Sequence, residues 1–415
     1  MSQAGYSNHK AAILFGLAAA SGVAVGWFSG SRRRELRRSQ LALCQKCPLS
    51  VRLSLADPSI DWSSSDLMEA TFQSSLDPLV NAFIAHIESF GVPEAFLDRI
   101  RHMCMYNILG GKYNRGNILV GNTRDLCHAS GIDFRSVVGS ALVLGWCIEV
   151  LQASFLVADD VMDGSITRRQ KPCWYKLPEV QMDAVNDALL LESLVFWLIQ
   201  EEFPSSANPQ LYITVNDLFR NVTFKTEIGQ LMDLLSQPQG ARGPDVLQRF
   251  SADNLRLIVD YKTAYYSFYV PIACSMILTG FDNTEQLQVA ERISMLLGEK
   301  FQAQDDFLDC YGDPATIGKI GTDIQDHKCT WLLVQALRKA TPAQRKVIET
   351  HLGVNDPASI AKIKAVYDEM DMRAMFEAAE LQSHERIANL IFDKGNIVPT
   401  IAFQRALGLI HERSK

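Results

Sequence analysis

Two aspartate clusters of one shape close two strongly apolar stretches of this chain. Asp159-Asp160-Val161-Met162-Asp163 follows Ala153–Ala158, and Asp305-Asp306-Phe307-Leu308-Asp309 follows Met295–Phe301. On a helix, residues i and i+4 share a face, so Asp159 and Asp163 point one way, as do Asp305 and Asp309. Like charges at that spacing repel by roughly a few tenths of a kcal/mol. The cost grows where the helix is otherwise apolar and ready for burial. A chain that does this twice, 146 positions apart, asks for a shared cationic partner. Carboxylate oxygens are ligands for Mg²⁺, which completes its octahedron with water and substrate phosphate. The two clusters therefore predict two helices holding a magnesium-bridged diphosphate between them.

The body around them reads as helix. Apolar periodicity predicts helices over 66–90, 93–107, 134–163, 181–202, 212–235, 253–278, 283–311, 329–339 and 357–376. No run of β-branched alternation bounded by turns competes with them. With 47% hydrophobic residues the chain has ample material for a core. The expected fold is all-α, one large helical domain over 66–415 around a central cavity. The stretch 137–158 is apolar enough for a membrane span, but Glu149 and Gln152 inside it favour a core helix. A net charge of −7 with no basic stripe in the body argues against a nucleic-acid partner. Nine scattered cysteines, mostly in apolar segments, fit buried thiols in a reducing compartment. His102 and His128 read as structural.

The start of the chain differs. Residues 11–31 carry no charge and precede Arg32, Arg33, Arg34, Arg37 and Arg38. That segment, 1–31 overall, is long enough to span a bilayer, with the arginines keeping the body on the cytosolic side. An acid-poor, basic start equally fits a mitochondrial targeting peptide. Both readings stay open. Residues 32–65, rich in basic residues, Cys, Pro and Ser, read as a linker.

A diphosphate site also needs cations. Lys112 and Arg115 lie in the glycine-rich Gly110–Gly116, where the backbone can approach an anion. Arg168 and Arg169 follow Asp163 past a Gly-Ser turn, and arginine forks suit phosphate oxygens. Lys262 sits inside an aromatic helix, where it must snorkel or meet an anion. Lys319, Asp323 and Lys328 follow the second aspartate cluster.

With these stretches together, the chain resembles the short-chain trans-isoprenyl diphosphate synthases of the farnesyl diphosphate synthase type. The resemblance is carried by G-G-K-Y-N-R-G at 110–116, L-Q-A-S-F-L-V-A-D-D-V-M-D-G-S-I-T-R-R at 151–169, K-T-E-I-G-Q at 225–230 and Y-K-T-A-Y-Y-S-F-Y at 261–269. It continues in F-Q-A-Q-D-D-F-L-D at 301–309 and G-K-I-G-T-D-I-Q-D-H-K at 318–328. It covers roughly residues 70 to 415. It implies the isoprenoid synthase fold, a homodimer, and 1′-4 condensation of isopentenyl diphosphate with dimethylallyl and geranyl diphosphate to farnesyl diphosphate. It implies that Asp159, Asp163 and Asp305 ligate three Mg²⁺, with Asp160, Asp306 and Asp309 in support. Arg168, Lys262 and Lys319 would contact the allylic diphosphate. Lys112, Arg115 and Arg169, with Gln152 nearby, would hold isopentenyl diphosphate. Thr263 and Gln302 would line the reacting centre, with Tyr266 as its wall, and Lys328 would join the substrate-binding set.

Product length in this family is set about one turn before the first aspartate, where Ser154 and Phe155 stand. The usual animal pattern has two aromatics there. A small Ser154 would admit a longer chain, so geranylgeranyl diphosphate is the expected deviation. The alternative reading is a terpene synthase of the same fold acting on farnesyl diphosphate. Such an enzyme has no need of Lys112, Arg115 and Arg169, and all three are present.

Overall fold

The computed structural model describes residues 47–55, 60–237, 244–313 and 321–412. The apolar run 11–31, Cys44 and Lys319 lie outside the described residues, as does the end of the chain from Arg413. From Pro48 onward the chain forms one compact unit. Its helices begin with α1 (Leu49–Arg52), α2 (Ser65–Ser74), α3 (Leu76–Glu88), α4 (Glu94–Ile108), α5 (Asn114–Ser130) and α6 (Val138–Asp163). A hairpin of β1 (Thr167–Arg168) and β2 (Lys171–Pro172) follows, then α7 (Ala184–Glu202), α8 (Pro209–Ser236), α9 (Pro244–Leu247) and α10 (Ala252–Ile258). A π-helix spans Val259–Tyr269 and leads into α11 (Val270–Leu278) and α12 (Thr284–Tyr311). The last elements are α13 (Trp331–Lys339), α14 (Pro342–His351), α15 (Pro357–Glu369), α16 (Met372–Asp393) and α17 (Ile401–Glu412).

The expected all-α architecture is the one observed. Helix α6 is apolar on all sides and is buried accordingly. It packs against α5, α7 and α11. Trp146 stacks on Phe72 of α2 with ring centroids 4.4 Å apart. This helix is long and apolar enough to cross a membrane, yet most of it is buried inside the fold. Gly164, at φ 69°, ends it directly after Asp163. Helix α12 starts at a capping box between Asn283 and Gln286 and carries the second cluster near its end. The wide π-helix runs between α8 and α12, and both neighbours present a glycine to it. A β-carbon at Gly229 would lie 2.2 Å from the Lys262 nitrogen, and one at Gly298 would lie 2.3 Å from the Ala264 β-carbon.

Several expectations change. The predicted 66–90 helix is two, α2 and α3, meeting at Ser75. The predicted 357–376 helix breaks at Asp371, whose φ is 53°. Helix α5 had no periodic signal because its buried face includes Gly116, Gly121, Asn122 and Thr123. Asn122 Nδ2 instead donates to the Ala402 carbonyl of α17 at 2.6 Å. The short hairpin was also unforeseen. It turns on Arg169 and Gln170, both at positive φ. Leu49, Leu55 and Trp62, from the stretch read as a linker, are buried in the main core. There the Ser50 amide and hydroxyl donate to the Glu202 carboxylate at 2.8 and 2.7 Å. Of the described cysteines only Cys47 is exposed, and the others are free, buried thiols.

Candidate active site

Asp159 and Asp163, one turn apart on α6, face a cavity of about 600 Å³. Asp305, Asp306 and Asp309 of α12 line the same cavity. The two acidic helix ends therefore meet as the clusters require. Asp160, a third of a turn away from Asp159, points elsewhere. It is buried and accepts from Arg168 Nη2 at 2.5 Å and Nε at 3.1 Å.

Each carboxylate has a distinct setting. Asp159 accepts from Gln230 at 3.0 Å and from Lys262 at 3.2 Å. Burial works against its charge, but Lys262, Lys328 and Arg168 outweigh it and hold the carboxyl below the usual range. Asp163 accepts from Lys328 at 2.7 Å. There burial, with Asp159 beside it, prevails and raises the carboxyl. Asp306 accepts from Gln302 at 2.9 Å and from the Trp331 amide at 2.7 Å. Its burial, with Asp305 and Asp309 adding, pushes it up to about 7 against those hydrogen bonds. Asp309 accepts from the amide of Asp323 at 3.1 Å, which draws loop 321–330 over the cavity.

Two lysines cross the acidic walls. Lys262 reaches Asp159 and, at 2.6 Å, Asp233 of α8. Lys328 reaches Asp163 and, at 3.1 Å, the same Asp233. Burial opposes both charges, yet the facing carboxylates keep both lysines protonated. Asp233 was missed in the sequence. Its one signal was an acid three residues after Gln230 on the same face of a helix with long apolar stretches. Thr263 donates to Gln302 Oε1 at 3.1 Å, and both line the cavity. Arg168 lines it too, 3.7 Å from Asp159.

Lys112, Arg115 and Arg169 do not line this cavity. Arg115 rests on the Tyr266 ring, 4.6 Å from its centroid, and donates to Ser267 at 2.7 Å. Arg169 donates to the carbonyls of Asn107, Ile108 and Leu109 at 2.8, 3.0 and 3.0 Å, capping the end of α4. Its guanidinium also approaches Gly111, where a β-carbon would stand 3.0 Å from Nη2. So the glycine-rich loop and the hairpin arginine do meet. Lys112 is exposed and Gln152 half-buried. Near Arg115 and Arg169 sits a counter-charge that the motif reading passed over. Glu149 is buried and accepts from the Gly116 amide at 2.9 Å. Burial raises its carboxyl, opposed first by Arg115.

Ser154 and Phe155 part company. Adjacent helical residues sit about 100° apart. Ser154 is buried and donates to the Ala188 carbonyl of α7 at 2.8 Å. Phe155 instead meets Tyr266 edge-on, with centroids 5.5 Å apart.

Among the described residues, no three Asp, Glu, His or Cys side chains form a ready cage for an ion. A divalent ion held by one or two carboxylates and otherwise by water and phosphate needs no such cage. An all-oxygen donor set spread over two walls fits that use, and the lysines and Arg168 between them fit an anionic ligand.

Comparison with known proteins agrees with this geometry. The profile of the Polyprenyl synthetase family matches residues 97–370. Farnesyl pyrophosphate synthase of Rattus norvegicus is 43% identical over 330 residues, 79% of this chain and 92% of that protein. The Schizosaccharomyces pombe enzyme of the same name is 40% identical over 348 residues, 83% of this chain and 98% of that protein. Among solved structures, T. brucei farnesyl diphosphate synthase complexed with risedronate superposes with a TM-score of 0.75 at 33% identity. It covers 84% of this chain and 98% of its own. The chain thus belongs to the polyprenyl synthetase family, and within it to the farnesyl diphosphate synthase type.

Proposed function

We propose that this protein condenses isopentenyl diphosphate 1′-4 with dimethylallyl and then geranyl diphosphate, making farnesyl diphosphate. The carrying observation is that both aspartate walls line one cavity crossed by Lys262 and Lys328. Membership of this family suggests divalent metal dependence and isoprenyl diphosphate substrates. Asp159, Asp163 and Asp305 would hold Mg²⁺, three ions in all, supported by Asp160, Asp306 and Asp309. Bound there, the metal supplies positive charge against the leaving diphosphate.

The chain's own side chains do the rest. Arg168, Lys262 and Lys328 neutralise the allylic diphosphate as its C–O bond breaks and the oxygen keeps the electron pair. Lys319, outside the described residues, joins them. Thr263 donates its hydroxyl hydrogen bond to Gln302, so its oxygen lone pairs are free to face the allylic cation. Lys112, Arg115, Arg169 and Gln152 hold isopentenyl diphosphate, with Glu149 balancing two of those charges. Held there, the alkene attacks the cation in an effectively unimolecular step. A proton then leaves to the released diphosphate. Phe155 and Tyr266 bound the growing tail, and Ser154 acts on chain length only through the packing of α6 on α7.

A homodimer is part of this reading. Helix α6 is buried in its own chain. Val185 and Leu189 on α7, with Phe224, Leu231 and Leu235 on α8, are exposed large hydrophobics. They supply the apolar face that a dimer needs. Membrane association through residues 11–31 rests on their apolarity alone.

The full-length protein, Mg²⁺, isopentenyl diphosphate and each allylic diphosphate in turn should yield a fifteen-carbon diphosphate. Turnover undiminished in excess chelator would overturn the reading. Hydrocarbon released from farnesyl diphosphate alone would replace it with a terpene synthase.

A further inference from the structure

Asp233 joins two lysines that would otherwise belong wholly to the first aspartate cluster. Lys262 spans Asp159 at 3.2 Å and Asp233 at 2.6 Å. Lys328 spans Asp163 at 2.7 Å and Asp233 at 3.1 Å. The five groups form one alternating chain, Asp159–Lys262–Asp233–Lys328–Asp163. Its central carboxylate is only 7% exposed. Each lysine thus holds one oxygen site that a divalent ion would need, and each has a second acceptor in Asp233.

An ion entering at Asp159 and Asp163 competes with those ammonium groups. An ammonium displaced inside a protein with no acceptor is costly. Asp233 removes that cost for both lysines at once, because its Oδ2 already accepts from both. It also stops them from swinging away, so their charge stays on the cavity wall where a diphosphate arrives. We propose that Asp233 is a positioning residue that retains Lys262 and Lys328 when a divalent ion takes Asp159 and Asp163. This inference rests on the reading of the cavity as a metal–diphosphate site. It adds that the lysines occupy the ion positions beforehand and that Asp233 is where they are kept.

The test is Mn²⁺ binding to the full-length protein by electron paramagnetic resonance, without substrate and then with inorganic pyrophosphate. Asp326 lines the same cavity, so Asp326→Asn removes an equal charge without touching either lysine contact. Asp233→Asn should weaken Mn²⁺ binding by about tenfold, since both lysines then fall back on Asp159 and Asp163. Asp326→Asn should weaken it by less than about threefold, the loss expected of a screened cavity charge. Adding Lys328→Met to Asp233→Asn should recover part of the lost binding, because the competitor at Asp163 is gone while Lys262 still competes at Asp159. Lys328→Met alone leaves Asp233 in place and should tighten Mn²⁺ binding, which keeps the test open if Asp233→Asn misfolds. Equal weakening by Asp233→Asn and Asp326→Asn would overturn the proposal, and so would unchanged or weaker binding in Lys328→Met. An unmutated protein that binds no Mn²⁺ would remove the metal reading itself. Binding that ignores Asp233 removes only this inference.

Discussion

The α-carbon of Gly229 lies so close to the backbone of Lys262 that a β-carbon there would stand 2.2 Å from the Lys262 nitrogen. Helix α8 and the π-helix therefore touch backbone to backbone at the residue that reaches Asp159 and Asp233. Gly229→Ala must push the two apart. Overpacking of this kind costs about 1–3 kcal/mol. The displacement also moves the Lys262 ammonium, so kcat should fall at least about tenfold. Thermal melting together with steady-state kinetics checks this. A variant that melts early but keeps its kcat would show that the contact serves stability alone.

Arg169 holds the last carbonyls of α4 and belongs to the cation set assigned to isopentenyl diphosphate. Lysine cannot reproduce its planar fork. Arg169→Lys should raise the KM for isopentenyl diphosphate by roughly tenfold, from the loss of one charge-assisted bidentate contact. The KM for geranyl diphosphate should change little. Substrate-resolved kinetics distinguishes this from a general loss of fold, which would lower kcat for both.

Ser154 and Phe155 should act differently on product length. Ser154→Phe forces a ring against the Ala188 carbonyl and should destabilise the protein by about 1–3 kcal/mol. Phe155→Ala opens the space beside Tyr266 and should shift products from fifteen carbons toward twenty. Chromatography of the dephosphorylated products gives the answer. A shift with Ser154→Phe and none with Phe155→Ala would reverse the assignment.

Asp260 makes stability depend on pH in the less common direction. Burial, with Glu299 adding, raises its carboxyl to about 6. The folded state then binds the proton more tightly than the unfolded chain. This contribution is intact below about pH 4 and is lost as pH rises through 6. Asp260→Asn removes the penalty, and should stabilise the protein at pH 7.5 by roughly 1 kcal/mol after allowance for solvent screening. At pH 4 the two proteins should melt alike. Melting curves at both pH values test it.

Local chemistry made much of this protein legible in its sequence. Asp159 and Asp163 needed only helical spacing to be placed on one face, and Gly164 marked where their helix stops. The helical class followed from periodicity, and the central place of α6 from apolarity on all its sides. Helix α5 was hidden because small and polar residues interrupt its buried face, with Asn122 Nδ2 donating to a carbonyl 280 residues away. Partnership across the fold was equally invisible. Only the packed helices show that Asp233 serves both Lys262 and Lys328, that Glu149 lies beside Arg115 and Arg169, and that Ser154 faces α7 while Phe155 faces Tyr266. A sequence states which groups must be satisfied, because propensity, charge and hydropathy act over a turn or two. Which distant group satisfies them depends on how helices far apart in the chain approach each other, and that is decided by packing.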